Sequence, residues 1–224
     1  MLTKGNTKVG QGIYVWNLPA GSDWSCPGAS GACDASLRGG ACYARPDTHK
    51  GTFGQAATRR MYATNWALVS GENADCRTFC DSMVAFIRRL NISRRRCAVV
   101  RVHTSGDFHS TPYVDAWVRV ADAHPDVRFF AYTRSWAVPA LVPSLDSLRA
   151  LPNFTVWAST DSTMAPAPDG WPEATIVGPR FRDTPAGYAK CPEQTGRRAS
   201  CSDCGLCYSP RLRRSAHLAF ALHH

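Results

Sequence analysis

Short apolar runs rich in β-branched and aromatic residues alternate along this chain with segments of helical periodicity, and that alternation constrains the fold more than any other feature. GIYVWNL, CAVVRV, VRFFAYT, FTVWAST and ATIV are the apolar runs; GQAATRRMYATNWALV, DCRTFCDSMVAFIRRL, STPYVDAWVRVADAHPD and PALVPSLDSLRALP carry the helical spacing. In the second of these, Phe79, Met83, Phe86, Ile87 and Leu90 line one face. Ser110 or Thr111 supplies an N-cap ahead of Pro112, which suits the first helical turn. Strands that read as continuous apolar runs and are joined by helical crossovers pair in parallel. A closed eight-fold barrel needs roughly 250 residues, and this chain has 224. The expected class is therefore α/β, with a partial or open (β/α) barrel resembling a shortened TIM barrel. One hydrophobic core suits this length. Residues 1–224 read as a single domain: a partial barrel over 12–180 with a cysteine-rich N-terminal loop at 24–44, then a cysteine-rich C-terminal extension at 181–217.

In a sheet of this kind the polar residues at the carboxyl ends of the strands face one mouth. His103, Ser105, Asp107, Thr133, Arg134, Ser159 and Asp161 are expected to converge there. His103 and Asp107, in HTSGDFH, are the candidate catalytic acid and base. The alternative is that Asp107 caps the following helix while His103 hydrogen-bonds inside the barrel. Arg134 and Asp161 suit a buried ion pair across the mouth. The tryptophans read as core residues whose indole nitrogens need partners.

The ten cysteines carry the chemistry. The N-terminal residues lack an apolar stretch long enough for a signal peptide, and no segment approaches the length of a membrane span, so a soluble cytoplasmic protein with no membrane partner is expected. A reducing compartment favours metal ligation over disulfides. In KCPEQTGRRASCSDCGLCYSP, nine residues separate Cys191 from a Cys201-x2-Cys204-x2-Cys207 run. Three cysteines so close, with a fourth more remote, suit a [4Fe-4S] cube, whereas structural zinc generally takes two separate pairs. Gly196 and Gly205 would let backbone amides approach the sulfides. Near the N-terminus, Cys26, Cys33 and Cys42 are separated by six and by eight residues in a Gly- and Ser-rich loop. Three thiolates leave one iron of a cube open to a substrate or to a ligand other than cysteine. Zinc completed by a histidine or carboxylate, a metal-free loop, and one cluster drawing on both ends of the chain are the alternatives. The expectation is one or two [4Fe-4S] clusters, with zinc as the other candidate. Cys76 and Cys80 lie one helical turn apart and Cys97 reads as a small buried hydrophobe, and none of the three receives a role.

The formal charge is +9 and uneven. Arg88, Arg89, Arg94, Arg95, Arg96 and Arg101 occur with no acid among them, and residues 180–217 carry eight arginines and lysines against Asp183, Glu193 and Asp203. Such patches permit a nucleic-acid partner. The plainer reading is a solvated helix end together with positive charge near anionic thiolates.

CPGASGAC with Cys42-Tyr43-Ala44 downstream, RVHTSGDFHS, FFAYTRSW and the closing CPEQ-to-CSDCGLC segment resemble the phage gene product 88 family, from about Gly12 to Tyr208. The resemblance implies a bacteriophage source and a cysteine framework, without an activity. The N-terminal loop is also similar to radical S-adenosylmethionine proteins, which hold a cluster through three cysteines after the first strand of a partial barrel and often carry auxiliary clusters in a C-terminal extension. Their usual Cys-x3-Cys-x2-Cys spacing is much tighter than that found here. These readings together imply a phage-encoded iron–sulfur protein in the host cytoplasm, with a small molecule bound at the barrel mouth and redox or radical-type chemistry. The alternative is a nucleic-acid or host-protein binding module with a purely structural iron–sulfur or zinc site. His223 and His224 are not counted as ligands.

Overall fold

The computed structural model describes residues 2–34, 36, 42, 44, 55–92, 98–209 and 217–222; Arg94, Arg95, Arg96, Cys97, His223 and His224 lie outside them. In chain order the elements are β1 (Thr3–Lys4), β2 (Ile13–Trp16), α1 (Ala56–Ala67), α2 (Arg77–Ile92), β3 (Val99–Val102), α3 (Thr111–Asp122), β4 (Arg128–Thr133), α4 (Val142–Ala150), β5 (Phe154–Thr160), β6 (Glu173–Val177), β7 (Tyr188–Lys190), α5 (Cys201–Cys204) and β8 (His217–Ala221). They build one eight-stranded sheet ordered β1-β2-β3-β4-β5-β6-β8-β7. β1 runs antiparallel to β2 and every other pair is parallel.

The α/β class is as expected, but the sheet does not close into a barrel. β1 occupies the free edge of β2, where a closing strand would dock, and β7 forms the opposite edge. The C-terminal extension contributes β7 to the sheet, where it pairs in parallel with β8.

Side chains alternate between two cores, as the strand period of two requires. Tyr14, Trp16, Val100, Val102, Phe129, Ala131, Phe154, Val156 and Ala158 face the helices and meet Phe79, Met83, Ile87, Tyr113, Trp117, Val120, Leu145 and Leu148. Their neighbours Ile13, Val15, Val99 and Phe130 point the other way, with Tyr132, Cys201, Cys207 and Tyr208 packed against them. Trp157, Ala174 and Leu218 extend that second core, against Leu206, Cys207 and Phe220. The segment carrying the C-terminal cysteines therefore covers the sheet face turned away from the helices. This explains why the strands are apolar on both sides.

Local signals set the helix ends. Ser110 is the N-cap of α3, with Pro112 in its first turn. Ser200 caps α5 by accepting a hydrogen bond from the Asp203 amide, and Gly205 ends it in the left-handed region at φ 67°.

Candidate functional site

Each strand end at the mouth is fastened to the next by a buried polar side chain. Asn17, just after β2, accepts through Oδ1 from Thr104 N (2.7 Å), Thr104 Oγ1 (2.7 Å) and Ser105 N (3.1 Å). Ser105 Oγ donates back to the Leu18 carbonyl at 2.8 Å. Asp107 joins β3 to β4: Oδ1 accepts from Phe108 N (2.7 Å) and Thr133 Oγ1 (2.6 Å), and Oδ2 from Arg134 N (2.7 Å). Burial pushes the Asp107 carboxyl up to about 6, while those hydrogen bonds pull the other way.

Arg134 joins β4 to β5 and to the cysteine loop. Its Nη1 donates to Asp161 Oδ2 (2.6 Å), to Ser30 Oγ (3.1 Å) and to Met164 Sδ (2.7 Å). Ser30 Oγ donates to Asp161 Oδ2 at 2.6 Å and accepts from the Cys33 amide at 3.2 Å. Burial raises the Asp161 carboxyl, but hydrogen bonds from Ser30 and Thr163 and the Arg134 charge overcome it, leaving the group at about 2.

His103 and Asp107 are not assembled as an acid–base pair, since they share no hydrogen bond among the described residues. His103 adopts φ 68°, a left-handed conformation that is costly for a residue with a Cβ. Its ring turns into the helix-side core, 4.9 Å centroid to centroid from Phe108. Trp16 Nε1 donates to Tyr113 Oη at 2.8 Å, and this hydroxyl lies 2.9 Å from His103 Nε2. The simplest assignment has Tyr113 donating to Nε2, with the proton on Nδ1, a buried atom with no partner among the described residues. Burial, then the His109 and Arg101 charges, pull His103 down from 6.5 to about 3. Between those values the unfolded chain binds a proton that the folded chain refuses, so stability falls as pH drops through the window. The non-titrating His103→Gln variant is expected to flatten that part of the curve of urea midpoint against pH. An unaltered slope would assign the acid loss to other groups.

The N-terminal cysteine loop lies over these strand ends. Ser25 Oγ donates to the Pro19 carbonyl (2.6 Å) and accepts from Asp107 N (3.2 Å). Gly106, at φ 82°, is required beneath it, because a Cβ there would stand 2.6 Å from Ser25 Oγ. Gly21 N donates to Cys26 Sγ at 3.4 Å. Burial and then the Asp107 charge push Cys26 up to about 12. Cys33 and Cys42 hydrogen-bond thiol to thiol; that bond, against burial and with help from the Arg134 charge, brings Cys33 down to about 7 and raises Cys42. An open cavity of about 660 Å³ adjoins the loop, lined by Gly28, Ser30, Ala32, Trp136 and Met164 among others.

The C-terminal cysteines do not share this rim. Cys191 N donates to Ala219 O (3.0 Å), Cys201 N to Lys8 O (3.0 Å) and Ser202 N to Val9 O (3.0 Å), which holds the segment against β8 and the N-terminal residues. Trp157 Nε1 donates to Cys207 O at 2.9 Å. Burial pushes Cys207 up to about 12, opposed by a hydrogen bond from Tyr132 and by the Arg101 charge. Arg101 stands over the rings of Tyr132 (5.3 Å) and Phe130 (5.9 Å), and its charge also favours the Cys201 thiolate. Arg101 thus belongs to the buried face of the sheet and not to a common basic surface with Arg88 and Arg89.

All nine described cysteines are free. Among the described residues no three Cys, His, Asp or Glu side chains close around a single ion. A four-iron cube spaces its thiolates by its own width, so it asks for a looser arrangement than one ion does. In donor type both sets fit such a group: thiols only, amides or hydroxyls donating to sulfur, and an arginine close by to balance negative charge. Cys76 and Cys80 are buried on the helix side, in the core with Phe79 and Met83.

Asn17, Ser30, Tyr132 and Trp157 were not legible as site residues. Arg101 did leave a signal, as the single charge within the apolar run VVRV.

This architecture defines an open, mostly parallel α/β protein with two groups of cysteines, one over the carboxyl ends of the strands and one on the sheet face opposite the helices. The family profile described as Gene product 88 matches residues 1–210, and the chain belongs to that family. The chain is 30% identical over 228 residues to the Gene 88 protein of Mycobacterium phage L5, covering 92% of this chain and 87% of the relative. It is 28% identical over 229 residues to the Gene 88 protein of Mycobacterium phage D29, with the same coverage of 92% and 87%. No solved structure matches. No helix among the described residues is long and apolar enough to cross a membrane.

Proposed function

We propose that this chain is an iron–sulfur protein of the host cytoplasm, with one [4Fe-4S] cluster on Cys26, Cys33 and Cys42 and a second on Cys191, Cys201, Cys204 and Cys207. The observation that carries the reading is the position of the three-cysteine loop: it sits over the strand ends, tied to Arg134 and Asp161 through Ser30, and adjoins a cavity of about 660 Å³. A cluster held by three cysteines supplies one-electron chemistry and an iron open to a small molecule. The cavity then binds the substrate, Asp107 and Ser30 hold the loop in place, and Gly28 lets the loop approach the sheet. The C-terminal set, walled in by Tyr132, Trp157 and Arg101, suits a structural or electron-relaying cluster.

Anaerobic purification followed by iron, sulfide and zinc analysis tests the reading. About eight irons are expected in the parent, with about four lost in Cys26→Ala and about four in Cys201→Ala. Zinc without sulfide, or no metal, would replace the reading with a structural-metal or metal-free binding module.

A further inference from the structure

The Arg134 side chain is only partly accounted for by its ion pair. It is 5% exposed, and its Nη1 serves Asp161, Ser30 and Met164, while its Nη2 is buried with no partner among the described residues. A guanidinium presents its donors as a rigid fork, and leaving one of them dry and unmade is costly. The geometry around it is fixed. Ser30 receives Nη1 and also receives the Cys33 amide, so a single hydroxyl joins the guanidinium to the backbone of a cysteine in the three-thiol set. One residue further on, the Ser135 hydroxyl donates to Phe108 O at 2.6 Å, and Arg134 N donates to Asp107 Oδ2 at 2.7 Å, so the start of the side chain cannot drift.

We infer that Arg134 is a non-thiolate contact of the group held by Cys26, Cys33 and Cys42: its unpartnered Nη2 donates to sulfur on the Cys33 side, with Asp161 and Ser30 fixing the guanidinium in place. The inference rests on the iron–sulfur reading and adds a positioning and tuning residue to it. A donor and positive charge beside cluster sulfur stabilise the reduced, more negative state and raise the reduction potential.

The test is a redox titration followed by electron paramagnetic resonance, on the signal that Cys33→Ala abolishes. In the fraction that retains iron and sulfide, Arg134→Gln is expected to shift its midpoint to a more negative potential, and Arg134→Lys to restore part of the shift. Arg134→Gln leaves Asp161 buried without its cation, so the double variant Arg134→Gln/Asp161→Asn removes both charges. Its midpoint is also expected below the parent value, because the donor is gone. An unchanged midpoint in both Gln-containing variants overturns the inference. Loss of iron from every Arg134 variant also overturns it, since Arg134 would then only scaffold the loop. A parent protein without iron and sulfide removes the iron–sulfur reading itself, a result distinct from either.

Discussion

Replacing Gly28 by valine is expected to detach the N-terminal cysteine loop, and with it the cluster proposed there, while the sheet stays folded. A Cβ on Gly28 would lie 2.1 Å from the Arg134 carbonyl oxygen, 2.6 Å from its carbon and 2.9 Å from Ser135 Cα. All three are backbone atoms, so no side-chain rotation relieves the clash. Nor can that backbone retreat: Arg134 N is bound to Asp107, Ser135 N to Thr133 Oγ1 at 3.0 Å, and Ser135 Oγ to the Phe108 carbonyl. The loop must lift instead, giving up the Ser30 hydrogen bonds to Arg134 and Asp161. Overpacking of this kind costs about 1–3 kcal/mol, which lowers the melting temperature of a chain this size by roughly 2–4 °C per kcal/mol. The metal assigned to Cys26, Cys33 and Cys42 is expected to be lost, with that of the C-terminal set retained, as measured by iron content and by proteolysis within residues 24–44. Gly31→Val is the control, since a Cβ there meets nothing within 4 Å. Equal iron content in the two variants would show that the loop does not depend on its seat at Arg134.

The alternation of apolar and helical segments made the centre of the fold legible. Helical spacing over 54–69 and 75–90 corresponds to Ala56–Ala67 and Arg77–Ile92, and the five apolar runs became β2 to β6. The convergence of Ser105, Asp107, Thr133, Arg134 and Asp161 also follows from parallel strands, because consecutive strand ends then share one side of the sheet. His103 departs for a reason the sequence does not display: its left-handed backbone swings the ring out of the strand's alternation and towards Tyr113. β1, β7 and β8 were missed. β8 reads HLAFA, without a β-branched residue, and its extended state comes from pairing with β6, from Glu173↔His217 to Val177↔Ala221. A strand apolar on both faces announces that something covers the second face, but not what. Here it is the C-terminal cysteine segment, with Cys201 and Cys207 packed against Phe130, Tyr132 and Trp157.

That placement puts Trp157 directly behind the C-terminal cysteines. Trp157 is fully buried, packs with Ala174 and Leu218 against Leu206, Cys207 and Phe220, and donates to the Cys207 carbonyl. Trp157→Ala is expected to cost about 3–5 kcal/mol in urea unfolding, from lost burial and from the cavity left behind. It should also empty the cluster site proposed on Cys191, Cys201, Cys204 and Cys207, because the wall behind Cys207 is gone. Trp157→Phe keeps most of the apolar contact and breaks one hydrogen bond, so about 1 kcal/mol and retained metal are expected. A Trp157→Ala variant that loses less than about 1 kcal/mol, or that keeps full metal, would show that the cysteine segment holds itself together independently of the sheet. The contrast with Gly28 is physical. The N-terminal loop rests on the strand ends through a few polar ties and can leave without opening a core, whereas the C-terminal segment forms one wall of a core and cannot be separated from the stability of the sheet.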